Sequence, residues 1–109
     1  MNHRIQPNAD LERLARLTKT KFSQPEMTDP NRTTVHGVEA CDLCGCDLGK
    51  PGLFVDGILK GETLWANMCP ECFAGLGEGI AHGSGQLYAR QKCGTWQLIA
   101  GACPVLKGT

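Results

Sequence analysis

The spacing of hydrophobic and polar positions changes character once along this chain. In "NADLERLARLTKTKF", Leu11, Leu14, Leu17 and Thr18 recur at three- and four-residue intervals and share one helical face, with Glu12, Arg13, Arg16 and Lys19 around the rest. Asn8 or Asp10 can cap the start, and Asp10 and Glu12 sit where the helix dipole favours acids. The pattern predicts a helix from about Ala9 to Phe22. The next stretch, "SQPEMTDPNRTT", has two prolines and many turn-forming polar residues and reads as linker or loop.

From Cys41 the period shortens to that of strands and turns. "LFVDGILKGETLWANM" offers two hairpin turns, Asp56-Gly57 or Lys60-Gly61, and either returns the chain to Cys69. "CPECFAGLG" predicts one or two helical turns, with Pro70 accommodated near the start and glycines ending them. Glycines at 75, 77, 79, 83 and 85 are too dense for a regular element. "QLYARQKCGTWQLIA" predicts a second hairpin turning on Cys93-Gly94. That register sets Gln91 opposite Trp96, Ala89 opposite Leu98 and Leu87 opposite Ala100 on one face, and pairs Tyr88 with Ile99 on the other.

Composition sharpens this division. The chain has 109 residues, enough for one small domain, and all seven cysteines fall within 41–109, leaving 1–40 as helix and linker. A chain this small buries a modest share of its surface and is expected to need a staple such as a metal. Seven thiols cannot all pair as disulfides within one chain. "MNHRIQPNAD" lacks the apolar core of a signal peptide, and no run approaches a membrane span, so the expectation is a cytoplasmic protein with reduced thiols and no membrane contact. Basic and acidic side chains balance at 11 each. A zinc ion held by four thiolates would add a net charge of about −2, which weakens the case for non-specific nucleic-acid binding.

The chemistry lies in "CDLC" and "CPEC". Each Cys-x-x-Cys turn brings two sulfurs to one side, so Cys41, Cys44, Cys69 and Cys72 can fill the four corners of one tetrahedral site while the 24 intervening residues make an excursion that returns. Gly45 follows the second ligand, where a knuckle turn favours positive φ, and the second pair falls at a predicted helix start, where amide dipoles favour thiolate charge. The expectation is one structural Zn2+. Four thiolates could also hold a single iron, and a redox use of one pair would require a βαβ pattern that the sequence does not show. With no open position the site would fold the chain instead of activating water.

Knuckle, hairpin and then a helix carrying the last two ligands is the order of a treble-clef zinc finger. The expected fold class is therefore a small α+β zinc-stabilised domain with a C-terminal β-hairpin and an N-terminal amphipathic helix. Cys46 lies two residues after a ligand and reads either as an exposed thiol or as a substitute ligand. Cys93 and Cys103 flank the last hairpin, and a second metal site combining them with His82 or Cys46 would have no familiar spacing. His3 and His36 read as solvent residues.

Other features favour ordinary roles. The glycine-rich run lacks the lysine and the strand-to-helix setting of a phosphate cradle, so it reads as a turn that lets the backbone pass close to the zinc module. Trp65 and Trp96 read as core; an exposed tryptophan beside Tyr88, Arg90 and Lys92 would instead mark a binding surface. No nucleophile, base and orienting group form an enzyme constellation, and Asn67 alone does not complete the His–Asn set of treble-clef nucleases.

The segments "CDLCG", "FVDG", "WANMCPEC" and "GSGQLY" carry a resemblance, over about residues 41–101, to small uncharacterised zinc-finger proteins of bacteriophages and other bacterial mobile elements. The resemblance implies a bacterial host cytoplasm and a zinc module, with Cys46, Cys93 and Cys103 as departures from it. Balanced charge, a compact metal-held module and a separate amphipathic helix lead to the expectation of a non-enzymatic adaptor or inhibitor that binds a host or viral protein. A small nucleic-acid-binding regulator is the alternative, and the leucine stripe could form a homodimer in either case.

Overall fold

The computed structural model describes residues 12–16, 34–81 and 83–101. Residues 12–16 form helix α1, inside the predicted N-terminal helix; the rest of that helix, with His3, His82 and Cys103, lies outside the described residues. Then follow strands β1 (Thr34–Val35), β2 (Leu53–Ile58) and β3 (Trp65–Met68), helix α2 (Pro70–Leu76), and strands β4 (Gly85–Arg90) and β5 (Trp96–Ala100). The strands form one antiparallel sheet in the order β1-β5-β4-β2-β3.

Both faces of the sheet are covered, which explains why β2 reads as a nearly continuous apolar run instead of an alternation. One face carries Leu53, Val55, Ala66, Met68, Leu87, Ala89 and Ile99, and receives Leu14 from α1 and Phe73 from α2. Leu14 is fully buried there, so this position of the leucine stripe is satisfied within the chain. The other face carries Phe54, Tyr88, Trp96 and Leu98 beneath the cysteine-bearing loop, with Leu48, Cys41 and Cys69. Phe54 stacks on Tyr88 at 4.9 Å and meets Trp96 edge-on at 4.8 Å, arrangements that suit the ring quadrupoles. The Trp96 indole donates to the Val38 carbonyl at 2.9 Å, and the Arg90 guanidinium lies 4.9 Å from its ring.

The first hairpin settles a choice that the sequence left open, and the second corrects an expectation. Asp56 and Gly57 lie inside β2, and the chain turns instead through residues 59–64, around Lys60-Gly61, closed by Leu59 N–H to the Leu64 carbonyl at 2.9 Å. The second hairpin turns through three residues, not two. Gln91 N–H donates to the Thr95 carbonyl at 2.8 Å, with Gly94 at φ 91° supplying the left-handed third position. Ala89 therefore faces Gln97 and Arg90 faces Trp96, and a bulge after Leu87 restores the predicted Leu87–Ala100 pair. The one-residue shift moves Trp96 and Leu98 to the face opposite Leu87 and Ala89, and pairs Tyr88 with Leu98 instead of Ile99.

Trp65 is the other correction. It is 48% exposed at the start of edge strand β3, whereas Trp96 is wholly buried. Thr34 and Val35, at the border of the predicted loop, are recruited as β1 alongside β5. The glycine-rich run makes its close passage against the end of β4. A Cβ on Gly85 would lie 2.2 Å from the Gly79 carbonyl oxygen, and one on Gly101 would lie 2.1 Å from that of Gly85.

Trp96→Ala should destabilise the fold by about 3–5 kcal/mol, because it empties a fully buried site and removes an indole hydrogen bond. Trp65→Ala should cost no more than about 1 kcal/mol. Urea unfolding of the two variants, followed by circular dichroism, measures the contrast.

Candidate metal centre

The first pair of thiols sits on a loop that closes on itself. Gly45 N–H donates to the Cys41 carbonyl and Cys41 N–H to the Cys46 carbonyl, both at 2.9 Å, with an isolated bridge between Ala40 and Asp47 beyond them. The reversal passes through Gly45 at φ 79°, the conformation expected at that position. Leu48, fully buried against Phe54 and Trp96, anchors the end of the loop.

The second pair arrives at the end of the β2–β3 hairpin. Cys69 is the N-cap of α2: its Sγ accepts from the Cys72 amide at 3.4 Å, and Pro70 occupies the first turn, where a missing N–H costs nothing. Cys72 lies one helical turn on. Two reciprocal bonds fasten this half to the first: Asp42 N–H donates to the Asn67 carbonyl at 2.9 Å, and Asn67 N–H donates to Asp42 Oδ2 at 2.8 Å. Sequence reasoning weighed Asn67 only as a nuclease residue and passed over Asp42. Their clasp was signalled only by their places next to ligand-bearing segments.

The result is convergence. The sulfurs of Cys41, Cys44, Cys69 and Cys72 all lie within 4.8 Å of one another, and Cys44 and Cys69 are 3.8 Å apart. A tetrahedral ion with bonds near 2.3 Å would set its sulfurs about 3.8 Å apart, so these residues fit a four-thiolate metal site. Amides of Leu43 and Cys69 each donate to Cys41 Sγ at 3.4 Å, the pattern expected around sulfurs that carry negative charge. Cys41 and Cys69 are buried, Cys72 is partly buried and Cys44 is exposed, so the site lies against the sheet with one side open to solvent.

The electrostatics of the thiols suit a cation held among them. Burial is the largest influence on Cys41 and pushes its pKa up, but the amides of Cys69, Cys44 and Leu43 outweigh it together and bring the thiol down to about 6. Cys72 is pushed well up, first by burial and then by the crowd of thiols at Cys69, Cys41 and Cys44. Cys69 is raised by burial against the opposing effect of the Cys72 amide. Four thiolates cannot ionise together here unless positive charge joins them.

The remaining predicted candidates stay apart. Cys46 is exposed beside the cluster, Cys93 is exposed at the tip of the second hairpin with its Sγ 3.1 Å from Thr95 Oγ1, and His36 is exposed. Among the described residues every cysteine is a free thiol and no other group of metal-ligating side chains converges. No described helix is long and apolar enough to cross a membrane. The chain matches no family model, no characterised protein and no solved structure.

Metal affinity should fall as pH falls, because binding must expel protons. Cys69 and Cys72, raised in the metal-free cluster, each release one near neutrality, which sets a loss of about a hundredfold or more per pH unit. The slope should steepen below about pH 6, where the Cys41 thiol also takes up a proton. Competition with a chromophoric chelator between pH 5.5 and 8 reads this directly.

Proposed function

We propose that the protein is a non-enzymatic, zinc-stabilised adaptor that binds another protein through the apolar surface at the turn of its β2–β3 hairpin. The metal part of this reading rests on the four-thiol cluster. Its donor set suits zinc, and with all four corners taken by thiolates the ion has a structural use. The succession of cysteine loop, β2–β3 hairpin and α2 supports a treble-clef assignment. The bacterial or viral cytoplasm implied by the sequence resemblance suits six described cysteines that are all reduced.

The observation that carries the binding role is a cluster of exposed hydrophobics. Leu64, Trp65 and Leu76 are 61%, 48% and 52% exposed. Leu59 N–H bonds the Leu64 carbonyl, Lys60 N–H bonds the Leu76 carbonyl at 2.8 Å, and Ile58 faces Trp65, so the three lie around one short segment. Large apolar groups gathered on a small protein's surface, a tryptophan among them, are typical of interface anchors. Basic groups offer less. Arg90 lies over Trp96, and Arg13 donates to the Pro51 carbonyl.

Affinity capture from bacterial lysate should recover a reproducible protein partner. Replacing both Leu64 and Trp65 by alanine should weaken capture by about thirtyfold while zinc content and fold are kept. Capture indifferent to these substitutions would remove this surface as the binding site, and a salt-sensitive shift of DNA or RNA with no protein partner would overturn the adaptor reading in favour of a nucleic-acid regulator.

A further inference from the structure

The cysteine loop brings three thiols, Cys41, Cys44 and Cys46, next to those of Cys69 and Cys72, and a tetrahedral ion uses four of the five. Cys46 stays next to the cluster because its carbonyl accepts from the Cys41 amide at 2.9 Å, which keeps the two ends of the loop together. Cys46 also lines one cavity together with Cys69, a member of the metal cluster. The four clustered thiols are not held alike. Cys41 and Cys69 are buried and receive backbone N–H groups, and Cys72 is carried on α2. Cys44 is exposed, and among the described residues no amide donates to its sulfur.

Gly45 alone separates Cys44 from Cys46, and a Cβ placed on it would meet nothing within 4 Å. The backbone of the loop is held by its own hydrogen bonds, so a change of ligand would fall to the side chains of Cys44 and Cys46, with open space beside Gly45 between them. Space exists on the receiving side as well. An open cavity of about 470 Å³ beside the cluster is lined by Cys46 and Cys69, with Lys50 and Glu71 at its wall.

We propose that Cys46 is an alternative fourth ligand, and that the metal exchanges between Cys44 and Cys46 while Cys41, Cys69 and Cys72 stay bound. The proposal rests on the zinc reading above. Exchange changes no oxidation state: the bond from the metal to Cys44 Sγ breaks with its electron pair returning to sulfur, the bond to Cys46 Sγ forms from a thiolate lone pair, and the proton leaving Cys46 is taken up by Cys44. The ligand chemistry is that of a soft divalent ion, with thiolates of similar reach competing for one corner. One thiol thus always remains free at the solvent-facing side of the ion, where a chelator or an acceptor protein's thiol could enter.

The test uses the full chain loaded with zinc, and first measures metal per chain in wild type and Cys46→Ser. Wild type without bound metal would overturn the zinc reading itself, and the exchange with it; metal in both leaves the exchange as the open question. Cys44→Ser should then lose only about tenfold in zinc affinity and, after Co(II) substitution, keep the charge-transfer absorption of four thiolates. The double variant Cys44→Ser with Cys46→Ser should lose about a hundredfold or more and show three thiolates. Equal impairment of the single and double variants would overturn the proposal. Alkylation of the zinc-loaded wild type with iodoacetamide, mapped by mass spectrometry, needs no substitution. Modification divided between Cys44 and Cys46, with Cys41, Cys69 and Cys72 protected, is the expected pattern. Cys44 protected as fully as Cys41 would overturn the exchange.

Discussion

Mutual repulsion among four sulfurs is the constraint on which this structure turns. The chain brings Cys41, Cys44, Cys69 and Cys72 from two distant segments to within 4.8 Å of one another, a distance at which their ionised forms repel strongly. Backbone amides offset part of that cost at Cys41 and Cys69, but no described side-chain cation stands among the sulfurs. A divalent ion changes the sign of the interaction and makes the two halves of the loop system one unit. In a chain whose hydrophobic core is limited by its size, such a cross-link between residues 41–46 and 69–72 supplies what packing alone does not.

The sheet distributes that cross-link through the rest of the molecule. The aromatic face formed by Phe54, Tyr88 and Trp96 lies under the cysteine loop, and the aliphatic face takes Leu14 and Phe73 from the helices. Cys72 packs against both sets of residues, so the helix that carries it is where the two cores meet. Strand β2 lies between β4 and β3, and its residues Phe54 and Val55 point to opposite sides. Order at the cysteines is thereby coupled to order across most of the sheet.

Much of this was legible because spacing encodes it. Two Cys-x-x-Cys units with an excursion between them predicted the cluster, Gly45 predicted the left-handed turn, and "CPECFAGLG" predicted α2 with the second cysteine pair at its start, whereas the capping role of Cys69 came only with the structure. Hairpin register was less accessible. Cys93-Gly94 suits a two-residue turn and a three-residue turn equally, and the choice moved Trp96 and Leu98 to the other side of the sheet. Asp56-Gly57 is a strong local turn signal that lost to pairing on both sides, with Asn67 and Gln86 opposite Asp56 in the neighbouring strands. Trp65 looked like core because large aromatics usually are, and its exposure follows from its place on an edge strand, which composition does not reveal.

The clasp between Asp42 and Asn67 has a second side to it. Strand β3 is the outermost of the sheet, and Asn67 would present an open N–H and C=O there had the cysteine loop not taken both. The loop that brings Cys41 and Cys44 to the cluster is thus also the guard of a sheet margin. A chain stripped of its metal would release that margin next to Leu64 and Trp65, creating a sticky ribbon suited to pairing with its own copies, so self-association is the form in which demetallation would first be seen.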